Sequence, residues 1–64
     1  MDLKELRKKN NIQQKELAKK LHIKQSTVSM WETGKSTPPL NKISLLANAL
    51  NVSESEIIDC FKER

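Results

Sequence analysis

The apolar and small positions Leu17, Ala18, Leu21, Ile23, Val28 and Trp31 constrain this chain more than any other feature of it. Leu17, Ala18 and Leu21 share one face of a helix over residues 13–21. Val28 and Trp31, three apart, share the inner face of a second helix over 25–33. His22, Ile23 and Lys24 are left to form a tight turn between them. Ala18 is small enough to let the two helices cross closely, and Val28 and Trp31 pin the second helix underneath the first. Gly34 is a standard helix-ending residue at the far side.

The remaining segments read as three more short helices. Leu3 and Leu6 line one face of a helix over 3–9, which stops at Asn10-Asn11, a pair that tolerates the left-handed conformation of a helix end. Pro38-Pro39 suits a loop or a first helical turn, so the fourth helix begins at 39 or 40. Its stripe is Leu40, Ile43, Leu46, Ala47 and Leu50, and Asn51 ends it. Ser53 followed by Glu56 is a capping box that opens a fifth helix, with Ile57, Ile58, Cys60 and Phe61 as a wide apolar face. The predicted architecture is all-α, a five-helix domain spanning 1–64 with no linker or repeat.

Composition narrows the function. Apolar residues make up 36% of 64, enough for one core and too few to enclose a deep cleft as well. No apolar run approaches the roughly 20 residues of a membrane span, and the charged N-terminal stretch has no signal-peptide core, so a soluble, cytoplasmic protein is expected. One cysteine and one histidine cannot make an internal disulfide or a structural zinc site, and no cofactor or metal is expected. Residues 1–35 hold nine Lys or Arg against four acids, while 36–64 hold three against four, which is +5 against −1 and sums to the net +4. A basic half offers a footprint to a polyanion, though a solvated lysine-rich surface gives the same arithmetic.

The helix–turn–helix spacing, with Leu6-Arg7, Ile12-Gln13-Gln14-Lys15-Glu16-Leu17-Ala18, Ser26-Thr27-Val28-Ser29-Met30-Trp31-Glu32-Thr33-Gly34-Lys35 and Leu46-Ala47-Asn48-Ala49-Leu50, resembles the phage Cro and repressor family of helix-turn-helix proteins. The resemblance covers residues 3–61. It implies a lambda-repressor-like fold, with the third helix in the major groove and a glutamine at the start of the second helix, here Gln14, bonded to a backbone phosphate. It also implies an ion pair between Arg7 and Glu32. The chain departs from the family pattern where His22 replaces a turn glycine, where Lys24 stands for a capping Ser or Thr, and where Gln13 is a weak cap. The loop from Lys35 to Pro39 lacks the arginine that some relatives place in the minor groove.

Opposite Val28 and Trp31 lie Gln25, Ser26, Ser29, Met30 and Thr33, the side chains that can reach base edges. Gln pairs well with adenine, Ser and Thr bond either kind of group, and Met30 either meets a thymine methyl or serves the edge of the core. A·T pairs are therefore expected under Gln25 and Met30. Trp31 belongs to the core. Gln14, Lys24, Lys35, Ser36 and Thr37 are the expected phosphate ligands, and Lys8, Lys9, Lys19 and Lys20 a solvated basic face.

These residues carry no catalytic set. The expectation is a sequence-specific double-stranded DNA-binding transcriptional regulator, a repressor, acting as a homodimer on a pseudo-palindromic operator. Ile58, Cys60 and Phe61 are the candidate dimer seam, although packing within the chain explains them equally well. The competing expectation is an antitoxin-like protein-interaction module.

Overall fold

Leu3, Leu6, Leu17, Leu21, Val28, Trp31, Ile43, Leu46, Leu50 and Ile57 all converge on one core in the computed structural model, which describes residues 2–62. Among those residues there is no strand. The helices are α1 (Leu3–Lys9), α2 (Gln14–Leu21), α3 (Gln25–Thr33), α4 (Leu40–Leu50) and α5 (Glu54–Lys62). Helix α2 packs on α3 and on α4, α4 on α5, and α1 on α3. Ala18 is buried at the α2 crossing, as its size requires.

Helix starts differ in quality. Asp2 caps α1 reciprocally: its carboxylate accepts the Glu5 amide at 2.9 Å while Glu5 accepts the Asp2 amide at 3.2 Å. At α5 the Ser53 hydroxyl accepts the Glu56 amide at 3.2 Å, as its sequence spacing predicts. Gln13 is the residue before α2, so that helix begins one position later than its apolar pattern suggests. Lys24 precedes α3 and supplies no side-chain cap.

Helix ends repeat one device. Asn11, His22, Gly34 and Asn51 adopt left-handed backbone angles, with φ of 56°, 56°, 82° and 55°. The next amide in each case donates to the carbonyl five residues back: Ile12 to Arg7 at 3.1 Å, Ile23 to Ala18 at 3.0 Å, Lys35 to Met30 at 2.9 Å and Val52 to Ala47 at 3.0 Å. Ile12, Ile23 and Val52 then fold back on the core. At the exit of α3 that position is Lys35, which is exposed, so this one end of the set is given to solvent.

His22 is the costly member. Asparagine tolerates φ above zero because its side chain bonds locally, whereas a longer side chain meets the following carbonyl. His22→Gly is expected to raise stability by about 1 kcal/mol, seen as a rise of roughly 4–8 °C in the unfolding midpoint. An unchanged or lower midpoint would show that the turn carries no such strain.

Two long-range bonds fix the remaining helices. Asn10 Nδ2 donates to the Leu6 and Leu50 carbonyls at 2.9 and 3.0 Å, tying the end of α1 to the end of α4. Lys42 Nζ donates to the Leu21 carbonyl at 3.0 Å, so α4 caps α2. Leu40 breaks the predicted α4 stripe. It sits at the first position of the helix, 86% exposed, while Ile43, Leu46, Ala47 and Leu50 are buried. Cys60 is also corrected: it faces the core and is buried, which removes it from the exposed seam predicted on α5.

Candidate nucleic-acid interface

Helix α3 is buried along Val28 and Trp31 and open on the other side. Gln25, Ser26, Met30 and Thr33 are exposed there, and Ser29 is half-buried between them. Trp31, 2% exposed, is a core residue and is not available for stacking. Gln25 and Met30 lie about 7.5 Å apart along the axis, at 1.5 Å per residue, roughly the rise of two base pairs. The five side chains carry no charge, so this face offers hydrogen-bonding groups and one apolar side chain. Thr33 is partly committed, since its hydroxyl donates to the Met30 carbonyl at 3.3 Å and keeps only its acceptor role outward.

The predicted phosphate ligands frame this surface. Lys24 stands just before α3 and Lys35 just after it, both exposed, with Thr37 exposed and Ser36 half-buried in the following loop. The amides of Lys35 and Ser36 both turn back to the Met30 carbonyl, at 2.9 and 3.3 Å, which fixes the start of this loop against the end of α3. Gln14 is the first residue of α2, where helix amides attract an anion. Lys8, Lys9, Lys19 and Lys20 are exposed, as a solvated basic face should be.

Behind the surface lies the ion pair that the motif implies. Arg7 Nε donates to Glu32 Oε2 at 2.6 Å and Nη2 to Oε1 at 3.3 Å, while Nη1 donates to the Ile12 carbonyl at 2.8 Å. The two side chains are 9% and 3% exposed. Two contacts escape the sequence reading. Gln14 Nε2 donates to Glu32 Oε1 at 3.0 Å, and Gln25 Nε2 approaches Gln14 Oε1 at 3.5 Å, the outer limit for such a bond. The available signal was positional: Glu32 follows Gln25 by seven residues and shares its edge of α3, the edge that faces the start of α2.

A second surface feature adjoins the loop. Thr37, Pro38, Leu40, Ile43, Ile58 and Phe61 line an open recess of about 270 Å³. Leu40 and Ile58, 86% and 47% exposed, stand on its rim.

A model of the helix-turn-helix family matches residues 3–57. Among curated proteins, the "HTH-type transcriptional activator BcrR" of Enterococcus faecalis is 29% identical over 56 residues, covering 88% of this chain. The chain spans 28% of that relative's length. No solved structure matches with significance.

Proposed function

The chain belongs to the helix-turn-helix family, matched over residues 3–57, and on that premise we propose that it is a sequence-specific double-stranded DNA-binding regulator that reads the major groove with α3. The observation that carries this reading is the uncharged polar face of α3 framed by Gln14, Lys24 and Lys35. Phosphate contacts from the frame would fix the register, and Gln25, Ser26, Ser29 and Met30 would then read bases. The family works by binding, and this reading needs no catalysis or cofactor. Among the described residues no helix is long and apolar enough to cross a membrane. We place the protein with its DNA in the cytoplasm. Repression is the mode proposed, because occupancy of a promoter requires only the DNA contacts described, although the enterococcal relative is named an activator.

Selection of bound duplexes tests the readout. Gln25→Ala and Met30→Ala should each relax preference at a separate A·T position by about 1–3 kcal/mol or less, the glutamine more than the methionine, with non-specific affinity retained. Parental site preference in both variants would remove these residues from the reading surface.

A nine-residue helix reads few base pairs, so two protomers on half-sites about one helical turn apart are proposed. The seam proposed is the Leu40–Ile58–Phe61 recess, occupied by the same recess of a second copy. It is apolar, and Thr37 of the loop that follows α3 lines one side of it, so a second copy seated there would lie beside that loop. The patch is small, which favours assembly on DNA over a stable free dimer. Leu40→Ser should leave the fold intact, since the side chain is exposed, and should abolish cooperative filling of paired half-sites in sedimentation or gel-shift titrations. Undiminished cooperativity would place the seam elsewhere. One parental protomer per operator at saturation would eliminate the dimer, and a protein partner held by this recess without any DNA binding would favour the interaction-module reading.

A further inference from the structure

The Arg7–Glu32 pair joins α1 to α3, yet its carboxylate also faces the reading surface. Glu32 accepts from Gln14 Nε2 at 3.0 Å in addition to Arg7. A carboxylate has only acceptors, so Gln14 can meet it only with the nitrogen end of its amide. That places Gln14 Oε1 on the other side, where the neighbour is Gln25. An amide oxygen in turn welcomes only a donor, and Gln25 Nε2 is what lies there, at 3.5 Å. One buried charge therefore sets the direction of two successive amides, ending at the first residue of α3. Gln25 is left with one N–H and its oxygen outward, and Gln14 with one N–H for a phosphate.

We propose that Glu32 is a positioning residue for DNA readout: its buried carboxylate fixes the polarity of the Gln14–Gln25 amide pair and thereby decides which end of the Gln25 amide meets which atom of the base edge. Glu32 itself cannot reach the groove, because its side chain is 3% exposed. Adenine offers an acceptor and a donor side by side, so an amide turned the wrong way loses both bonds. Pre-set polarity removes the cost of ordering two glutamines on binding, a cost that flexible side chains otherwise carry into the complex. The inference rests on the reading that Gln25 contacts bases.

Three variants separate positioning from simple support. Gln14→Ala leaves the Arg7–Glu32 pair whole and breaks the middle link. A glutamine that only bonds phosphate would lose affinity alike on every sequence when removed, whereas here discrimination at the base under Gln25 should also fall at least about fivefold. Glu32→Gln, assayed in the cold with helicity confirmed by circular dichroism, should lose the same discrimination and hold it at the Met30 position. Arg7→Lys keeps the carboxylate and weakens the clamp, so it should lower stability with base preference intact. In the free protein, nuclear magnetic resonance of the Gln14 side-chain amide should show hydrogen exchange that is slow in the parent and fast in Glu32→Gln.

Parental discrimination in Gln14→Ala and in folded Glu32→Gln, with Gln25→Ala relaxed as expected, would overturn the inference and leave the readout standing. If all three variants lose preference in proportion to their loss of stability, the role of Glu32 is structural and the inference also fails. If Gln25→Ala itself selects the parental site, the readout assignment has failed and Glu32 has nothing to position, even where the exchange measurement shows the amide held.

Discussion

Arg7→Met and Glu32→Gln are each expected to lower the unfolding midpoint by well over 10 °C. The Arg7 guanidinium spends three of its donors inside the protein, two on Glu32 and one on the Ile12 carbonyl, and both side chains of the pair are shielded from water. Removal of one partner strands the other in a medium that solvates it poorly, at a cost of about 3–5 kcal/mol. Native domains have only about 5–15 kcal/mol to lose, and at this size about 1 kcal/mol moves the midpoint by roughly 4–8 °C. An exposed pair would be worth under about 1 kcal/mol and would shift the melt by a few degrees. Replacing both together, Arg7→Met with Glu32→Leu, should recover much of the loss, because no charge then remains buried. Single variants that melt within two degrees of the parent would show that water, and not the partner, solvates these groups.

The second large effect concerns salt. Lys24 and Lys35 stand at the two ends of α3, and if each meets a phosphate in both protomers of the proposed dimer, displacement of condensed counterions should give a log-log slope of roughly −3 to −4. Affinity should then fall about a hundredfold between 50 and 200 mM salt by the same rule. Lys24→Ala or Lys35→Ala should each flatten that slope by about 2 in the dimer, with no change in the preferred sequence. Neutral Gln14 should leave the slope nearly unchanged when replaced, whatever its effect on affinity. Titration of one operator and one random duplex across this range separates the outcomes: a slope that neither lysine alters would move the phosphate contacts to the Lys8, Lys9, Lys19 and Lys20 face.

Most of the helical plan was legible because each boundary carries its own local chemistry. Asn11, His22, Gly34 and Asn51 close helices where the apolar pattern stops, and the device they share is short-range, five residues from carbonyl to amide. Leu40 misled the pattern. It continues the periodicity of α4 but occupies the first position of the helix, where it is exposed, and periodicity alone cannot say where the core ends. Cys60 decides an alternative that the sequence leaves open, seam or packing within the chain: it is buried, and a wide apolar face on α5 does not by itself reveal which of its residues turn inward.

The sequence by itself determined the all-α architecture, the α2–turn–α3 unit, the outward face of α3 and the family, because helix periodicity, end signals and the spacing of a crossing are properties of neighbours in the chain. The Arg7–Glu32 pair was implied by the motif and needed the fold for its burial. Only the tertiary structure decided that Gln14 reaches the Glu32 carboxylate and Gln25 reaches Gln14 in turn, and that Leu40, Ile58 and Phe61 share one recess. Both depend on how helices far apart in sequence are rotated and packed. A shift of one residue in that packing would move a side chain by about 100° and break the contact, while leaving every local signal in the chain as it is.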